Sequence, residues 1–375
     1  MKEKKVIHLS TVHFRYDPRI VYRMAFSTAT VHQTFVLLPQ ADASLSNDIS
    51  FRRLPAFKSL WLRLLLSHPV ALWHCLRIKA DIVHIHDPEL MPLAFVLTWL
   101  TGVRIVYDIH ENVRKQLSFK FSNNSLILRW FYAYFDRLAR RYFYLILAEF
   151  SYQAEYKATR YEPAVILNYP SLSFFEQFIR HDHTPALELF YVGQLSLARG
   201  IDTLIQALAL LKKQGIQLNV NLFGGFEFDL HKVEELRQIE GFNEVNDLLK
   251  FNGKTDPRQV FRHAHKAIAG IALLKPVGDF PESYPTKIFE YMALELPVIT
   301  SDFLLYRPVV EAHQCGFCID PTNAQQLADT LRWLIEHPEK AQQMGKNGRK
   351  AVEQDYNWQS EEEKLLNFYK QILAT

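Results

Sequence analysis

The sequence predicts an α/β protein made of two successive doubly wound parallel sheets. Three observations carry that expectation. Short apolar runs rich in β-formers alternate with longer helical patterns through the first half, a Pro-containing polar stretch interrupts them near 169–187, and the alternation then begins again. Short strands separated by helical crossovers imply parallel pairing. At 375 residues the chain is also long enough for two domains, each with its own core.

Taken in order, the first half should place strands at 6–10, 34–38, 82–85, 104–109, 144–148 and 165–167. The linker over 169–187 contains Pro170, Pro185 and the polar run His181-Asp-His-Thr. In the second half, strands are expected at 189–192, 220–223, 249–251, 268–273, 298–300 and 317–319, with helices near 201–213, 229–240, 286–294 and 323–336. A last helix over 358–373 shows Leu365, Leu366, Phe368, Tyr369, Ile372 and Leu373 at helical spacing. The expected domains are therefore 1–170, 171–355 and a terminal helix at 356–375. Two such domains joined by one linker place a ligand cleft between the carboxyl ends of both sheets.

Composition narrows the class. With 49% apolar and 22% charged residues the chain reads as a folded soluble protein. No apolar run reaches the roughly 18 residues of a membrane span, and Met1-Lys-Glu-Lys-Lys leads straight into Val6-Ile-His-Leu-Ser without a signal core, so a cytoplasmic location is expected. Cys75, Cys315 and Cys318 fit a reducing compartment; Cys315-Gly-Phe-Cys318 has redox-motif spacing but enters a strand, which favours a plain structural role. The net charge of +3 conceals a split. Residues 1–170 hold 22 Lys and Arg against 13 Asp and Glu, whereas 171–375 hold 21 against 27. The basic half suits an anionic surface, such as the inner face of the plasma membrane.

The most informative stretch is Phe280-Pro-Glu-Ser-Tyr-Pro-Thr-Lys-Ile-Phe-Glu-Tyr-Met-Ala-Leu-Glu-Leu-Pro-Val-Ile299. Pro285 fits a helix start, which puts Glu282 in the loop before it and Glu290 about one turn inside. Such an N-terminus offers N–H groups and partial positive charge to a diphosphate. Glu282 can then accept from sugar hydroxyls and Glu290 from ribose hydroxyls.

This stretch resembles the glutamate, seven residues, glutamate motif of the family 4 retaining glycosyltransferases, of GT-B architecture and also described as glycosyl transferases group 1. The resemblance covers nearly the whole chain and is densest over 188–321. It implies transfer of a hexose or hexose derivative from a UDP- or GDP-sugar to a hydroxyl of a saccharide or lipid-linked acceptor, in cell-surface polysaccharide or glycolipid assembly. Retention is implied by the family, and so is the return of the last helix to the N-terminal domain. Neither a metal nor another cofactor is expected, and no nucleic acid partner. Two alternatives stay open: a sugar-nucleotide epimerase of the same architecture, and a non-catalytic donor-binding scaffold subunit.

Further residues take their roles from the resemblance. Tyr191-Val-Gly-Gln-Leu-Ser-Leu-Ala-Arg-Gly200 is similar to the family's phosphate loop, with Gly193 at the turn. Gln194 stands where the family has Arg, and Arg199 keeps the charge expected near the second Gly. Donor contacts are expected from Ser283, Tyr284, Pro285, Thr286 and Lys287 beside Glu290, and from Asn252, Gly253 and Lys254 towards the base. Arg199, Lys287 and the helix N-terminus would neutralise the leaving diphosphate, which makes a metal unnecessary. His110, in Arg104-Ile-Val-Tyr-Asp-Ile-His-Glu-Asn112, is expected to face the donor sugar and completes a catalytic set with Glu282 and Arg199. Glu111 orients His110 or touches the acceptor. The loop over 10–20 lacks the family's glycines, and its His13, Arg15, Asp17 and Arg19 are candidates for acceptor contact or for structural work. His84, His86 and Asp87 have the look of a metal set without an ordered third cluster. Finally, 57–79 and 126–144 interleave Trp61, Trp73 and Trp130 with Arg63, Arg77, Arg129, Arg137, Arg140 and Arg141, which suits docking at an anionic bilayer or, alternatively, two core helices with solvated charges.

Overall fold

The computed structural model describes residues 4–13, 15–41, 46–110, 126–179, 186–226, 230 and 232–375. The chain divides into two compact units, one of residues 1–168 with 359–375 and one of 169–358. Each is built on a parallel sheet with helices on its faces.

In the first unit β1 (Lys5–Leu9), β2 (Gln33–Pro39), β3 (Ile49–Leu54), β4 (Ile82–Ile85), β5 (Arg104–Ile109), β6 (Tyr144–Leu147) and β7 (Ala164–Val165) pair in the order β3-β2-β1-β4-β5-β6-β7. Their near-continuous apolar runs suit strands covered on both faces. One face packs against α1 (Phe26–Val31) and the π-helical segment Pro18–Ala25 leading into it, through Ile20, Val21, Ala25 and Ala29. The other carries α2 (His68–Ile78), α3 (Met91–Thr101) and α4 (Leu126–Tyr142), which bury Ala71, Cys75, Leu93, Ala94, Leu97 and Ala139.

The second unit has β8 (Glu188–Val192), β9 (Asn219–Phe223), β10 (Leu249–Phe251), β11 (Ala267–Ala272), β12 (Val298–Ser301) and β13 (Gly316–Ile319), in the order β10-β9-β8-β11-β12-β13. Its helices include α5 (Ile201–Lys213), α6 (Thr286–Ala293), α7 (Ala324–Glu336) and α8 (Pro338–Gln354). The final helix, α9 (Trp358–Ala374), lies almost wholly in the first unit. There Glu361 Oε2 accepts from the Leu167 N–H at 2.8 Å, and the Tyr369 hydroxyl meets His84 Nδ1 at 2.6 Å.

In both sheets the strand order reverses beside the first strand, between β1 and β4 and between β8 and β11. Successive crossovers leave in opposite directions there, so the loops at the carboxyl ends part and open a crevice.

Three local features differ from expectation. β3 was absent from the expected set because Ile49-Ser-Phe alternates but Arg52 and Arg53 follow side by side; as an edge strand it exposes both. Within the expected helix at 229–240 the described residues form a 3₁₀ turn, Val233–Gln238, followed by the short helix Phe242–Val245. α8 is additional, its pattern diluted by two interior glycines that lower helix propensity.

Candidate functional site

At the crevice of the second unit the chain leaves β8 into a loop lying flush on its neighbour. Gly193 N–H donates to Phe223 O at 2.8 Å and Leu195 N–H to Gly225 O at 2.8 Å. A Cβ on Gly224 would stand 1.7 Å from Gly193 O, so only glycine permits this approach. The Tyr191 hydroxyl donates to Gln194 O at 2.6 Å, which fixes the turn. A 3₁₀ turn, Leu197–Arg199, then leads into α5. This turn is tied to the loop after β11, because Lys275 N–H donates to Ala198 O at 2.9 Å and its ammonium pairs with Asp202 at 2.5 Å.

The loop after β11 ends in the turn Phe280–Glu282 before α6. The Tyr306 hydroxyl lies 2.6 Å from Phe280 O and 3.0 Å from Ser283 O, and Ser283 Oγ donates to Asp279 O at 3.0 Å. Glu282 is held in this anchored turn, its N–H donating to Asp279 O at 2.9 Å. Tyr284 packs edge-on to Phe289, 5.3 Å between ring centres. Pro285 is the extended N-cap of α6 and Thr286 its first helical residue, with no side chain capping that end.

Lys287 is the unusual group. It is only 4% exposed, its ammonium sits 4.0 Å above the Tyr191 ring, and it has no hydrogen-bond partner among the described residues. A Cβ on Gly193 would come within 4.0 Å of that ammonium, so the loop leaves the space beside it open. Burial, then the charge of Arg199, pushes the Lys287 ammonium well below its ordinary value, and Glu290 opposes them in part. The Arg199 guanidinium lies 5.2 Å over the Phe280 ring with its Nε unpartnered among the described residues, and the buried Ser196 hydroxyl is unpartnered likewise. Buried cations and donors without partners carry a desolvation cost that an anion would relieve. Arg199, Lys287, Gly193 and the start of α6 thus stand together where their cations could receive an anion, with Glu290, 8% exposed, one turn inside.

Asn252 and Gly253 border the same crevice. Asn252 N–H donates to Leu222 O at 2.9 Å and Gly224 N–H to Gly253 O at 2.9 Å, while the Lys254 stem reaches to 3.0 Å from where a Cβ on Gly225 would lie.

The first unit holds a chain of polar contacts at its own crevice. Asp87, after β4, accepts from Thr11 N–H at 2.5 Å, Ser10 Oγ at 3.1 Å and His13 Nδ1 at 2.9 Å. Burial pushes its carboxyl up, but these donors outweigh it and hold Asp87 well below the usual range. The Nε2 atoms of His13 and His110 meet at 3.2 Å, and His110 Nδ1 stands 3.7 Å from Asp108. Asp108, the penultimate residue of β5, takes both arms of Arg19 at 2.8 and 2.6 Å. Arg19 also donates to Ile166 O at 3.1 Å and Asn168 Oδ1 at 2.8 Å.

The structure therefore gathers His13 and His110 with Asp87 and Asp108, and gives two other candidates structural work. Asp17 caps the helical segment at Pro18, accepting from the N–H groups of Arg19 and Ile20 at 2.9 and 2.8 Å, and Arg19 is locked in the core. Arg15 lies over the Tyr16 ring at 4.6 Å. Glu111 falls outside the described residues. Asp108 was missed by sequence reasoning, although a charge inside an apolar parallel strand signals a buried partner.

Behind this chain, His8, His84 and His86 bring ring nitrogens within 4.8 Å of one another, a spacing that could hold a metal ion. Both nitrogens of His8 are already engaged, with His86 and Thr28 at 3.1 Å each, and both of His86, with His8 and with Asp108 at 3.1 Å. The Asp108 carboxylate can only accept, so His86 Nδ1 donates to it. Burial pushes all three imidazoles towards the neutral form, while Asp108 favours a second proton on His86. A hydrogen-bonded core layer, not an open ligand set, results. Cys315 and Cys318 are both pushed up to about 12, chiefly by burial, and are inert as thiolates.

Two family models cover most of the chain: "Glycosyl transferases group 1" matches residues 175–351 and "Glycosyl transferase 4-like domain" residues 21–164. The chain belongs to the group 1 glycosyl transferases. Among curated relatives it is similar to a glycogen synthase of Mycobacterium tuberculosis, 23% identical over 75% of this chain and 66% of that one. It is similar also to the capsular polysaccharide biosynthesis glycosyltransferase CapM of Staphylococcus aureus, 25% identical over 49% of this chain and 46% of that one. The chain thus spans less than two thirds of the length of these relatives. Among solved structures, Anabaena Alr3699/HepE in complex with UDP-glucose superposes with a TM-score of 0.74 at 16% identity, covering 98% of this chain and 100% of that one. That likeness shows the fold, which is the GT-B arrangement of two parallel sheets with flanking helices. In this group 1 glycosyl transferase the crevice of the second unit lies wholly within the residues of the group 1 model.

Proposed function

We propose that this group 1 glycosyl transferase is a retaining, metal-independent enzyme of family 4. It moves a hexose or hexose derivative from a UDP- or GDP-sugar to a saccharide or lipid-linked acceptor hydroxyl in surface polysaccharide or glycolipid assembly. The observation that carries the reading is the buried Lys287 ammonium at the start of α6, without a partner among the described residues, together with the unpartnered Nε of the half-buried Arg199 before α5. The names of the capsular relative and of the UDP-glucose complex support it.

When the bond from the anomeric carbon to the diphosphate oxygen breaks, the electron pair leaves with the nucleoside diphosphate and the sugar becomes oxocarbenium-like. Lys287, Arg199 and the N–H groups of α6 are fixed before the reaction and stabilise that developing charge without reorganising. Glu290 takes the ribose hydroxyls, and Glu282 a sugar hydroxyl. Retention requires the acceptor oxygen to bond on the face that the diphosphate leaves, its hydroxyl proton passing to the departing diphosphate oxygen. His110, whose Nε2 meets His13 and whose Nδ1 faces Asp108, engages a sugar hydroxyl.

Incubation with a radiolabelled donor, with and without an acceptor extract and with chelator present, tests this. Labelled product or slow donor hydrolysis that chelator does not affect is expected, and Glu282→Gln should lower turnover far more than affinity for free nucleotide. Formation of an epimer of the donor, or no turnover of any UDP- or GDP-sugar, would sink the proposal.

A further inference from the structure

The first unit carries a surface that its own fold does not explain. α2, α3 and α4 lie side by side on one sheet face and bury one stripe each. The opposite stripe of a helix on a soluble domain is ordinarily polar. Here it is not. α3, Met91-Pro-Leu-Ala-Phe-Val-Leu-Thr-Trp-Leu-Thr101, contains no charged residue, yet Val96, Trp99 and Leu100 point outwards. Trp99 is 82% exposed, Trp61 72%, and Trp130 and Leu65 69% each. On α4 the outward positions Trp130, Tyr134, Arg137 and Arg141 place two aromatic and then two basic residues at helical spacing, with Trp130 stacked on Tyr134 at 5.5 Å. On α2 Arg77 lies over the exposed Trp73 ring at 4.6 Å.

The charges around these rings are nearly of one sign. Segments 57–79, 91–104 and 126–144 together hold nine Lys and Arg and one acidic residue, Asp136, which pairs with Arg140. Lys58, Arg77, Lys79, Arg129, Arg137 and Arg141 are exposed. An exposed apolar patch of this kind marks an interaction surface. Tryptophan rings among lysines and arginines match the chemistry of a bilayer interface, where indole sits at headgroup depth and the cations meet lipid phosphates. No helix among the described residues is long and apolar enough to cross a membrane, so the contact is one of lying on the surface.

We infer that the outer faces of α2, α3 and α4, with Trp61 and Leu65 before them, form a docking surface for an anionic lipid bilayer. The inference rests on the glycosyltransferase reading only in its purpose, which is to hold the enzyme where a lipid-linked acceptor is presented; the surface itself stands on exposure and charge. Three helices inserting their aromatic rings to the same depth would orient the whole first unit. Attraction by the basic rim should be screened within about 8 Å at physiological salt.

Co-sedimentation of the full chain with phosphatidylglycerol-containing and with pure phosphatidylcholine vesicles tests this. The protein should pellet with the anionic vesicles at low salt, shift its tryptophan emission to the blue, and be released as salt rises. The triple variant W61S/W99S/W130S, whose changes point into solvent, should lose about tenfold or more in partitioning. It should still gain thermal stability from UDP or GDP as wild type does. Failure of wild type to pellet at low salt would overturn the inference, as would equal pelleting by the triple variant. Concentration-dependent dimerisation abolished by the same three changes would overturn it too, assigning the face to a second copy. A protein that pellets as described but binds neither nucleotide keeps the docking surface and loses the donor reading.

Discussion

A lysine whose ammonium is buried over the Tyr191 ring, in the field of the Arg199 charge, makes the free protein less stable than it would be without that charge. The unfolded side chain has the ordinary value of 10.5 and the folded one a value well below it. Stability contributed by Lys287 is therefore full only at high pH and is lost as pH falls from 10.5 towards the folded value. A bound diphosphate reverses the sign by favouring the ammonium. Binding should then take up protons, detectable below pH 10.5 as a calorimetric heat that depends on the ionisation enthalpy of the buffer. Lys287→Met should raise the Tm of the free protein, abolish the proton uptake and weaken nucleotide binding. A Lys287→Met protein with lower Tm and unchanged affinity would show that the residue serves packing instead. Of the candidate residues, Glu282, Lys287 and Glu290 could be named from the sequence because they stand close together around one helix start, and Arg199 because it closes a strand–loop–helix motif. The Asp87, His13, His110, Asp108 and Arg19 contacts were not. Their members come from positions up to 97 apart along the chain, such as 13 and 110, and only the strand order β1-β4-β5 makes them neighbours.

At the scale of elements, α6 is placed by its packing on β11. A Cβ on Gly270 would fall 2.3 Å from the Tyr291 ring, while the Tyr291 hydroxyl donates to Ile271 O and accepts from Val192 N–H, both at 3.1 Å. Gly270→Ala must push α6 outward and break the tie to β8 just before Gly193. A loss of about 1–3 kcal/mol, the usual scale for overpacking, is expected in denaturant unfolding, with nucleotide affinity falling as well. Full stability and affinity in that variant would mean that α6 is not held as described. The elements themselves were largely readable. β4, β5 and β10 match expectation to the residue. α6 starts at Thr286 as expected, because Pro285 forbids an earlier one. β3 and α8 escaped because paired arginines and interior glycines contradict the local pattern, and tertiary packing overrides that preference.

For the molecule as a whole, the account assigns the nucleotide to the acidic second unit and the sugar-facing histidine and the lipid surface to the basic first unit. That division predicts which substitutions affect which ligand. Thermal unfolding of the full chain with UDP and with GDP tests it without knowledge of the sugar or the acceptor. A nucleotide at about 100 times its dissociation constant should stabilise by about 2.7 kcal/mol. The account predicts that one of the two raises the Tm of wild type and of His110→Ala, and that Glu290→Ala and Arg199→Ala lose most of that shift, by about 1–3 kcal/mol for charged hydrogen bonds. No shift with either nucleotide, or the same shift in all four proteins, would contradict it.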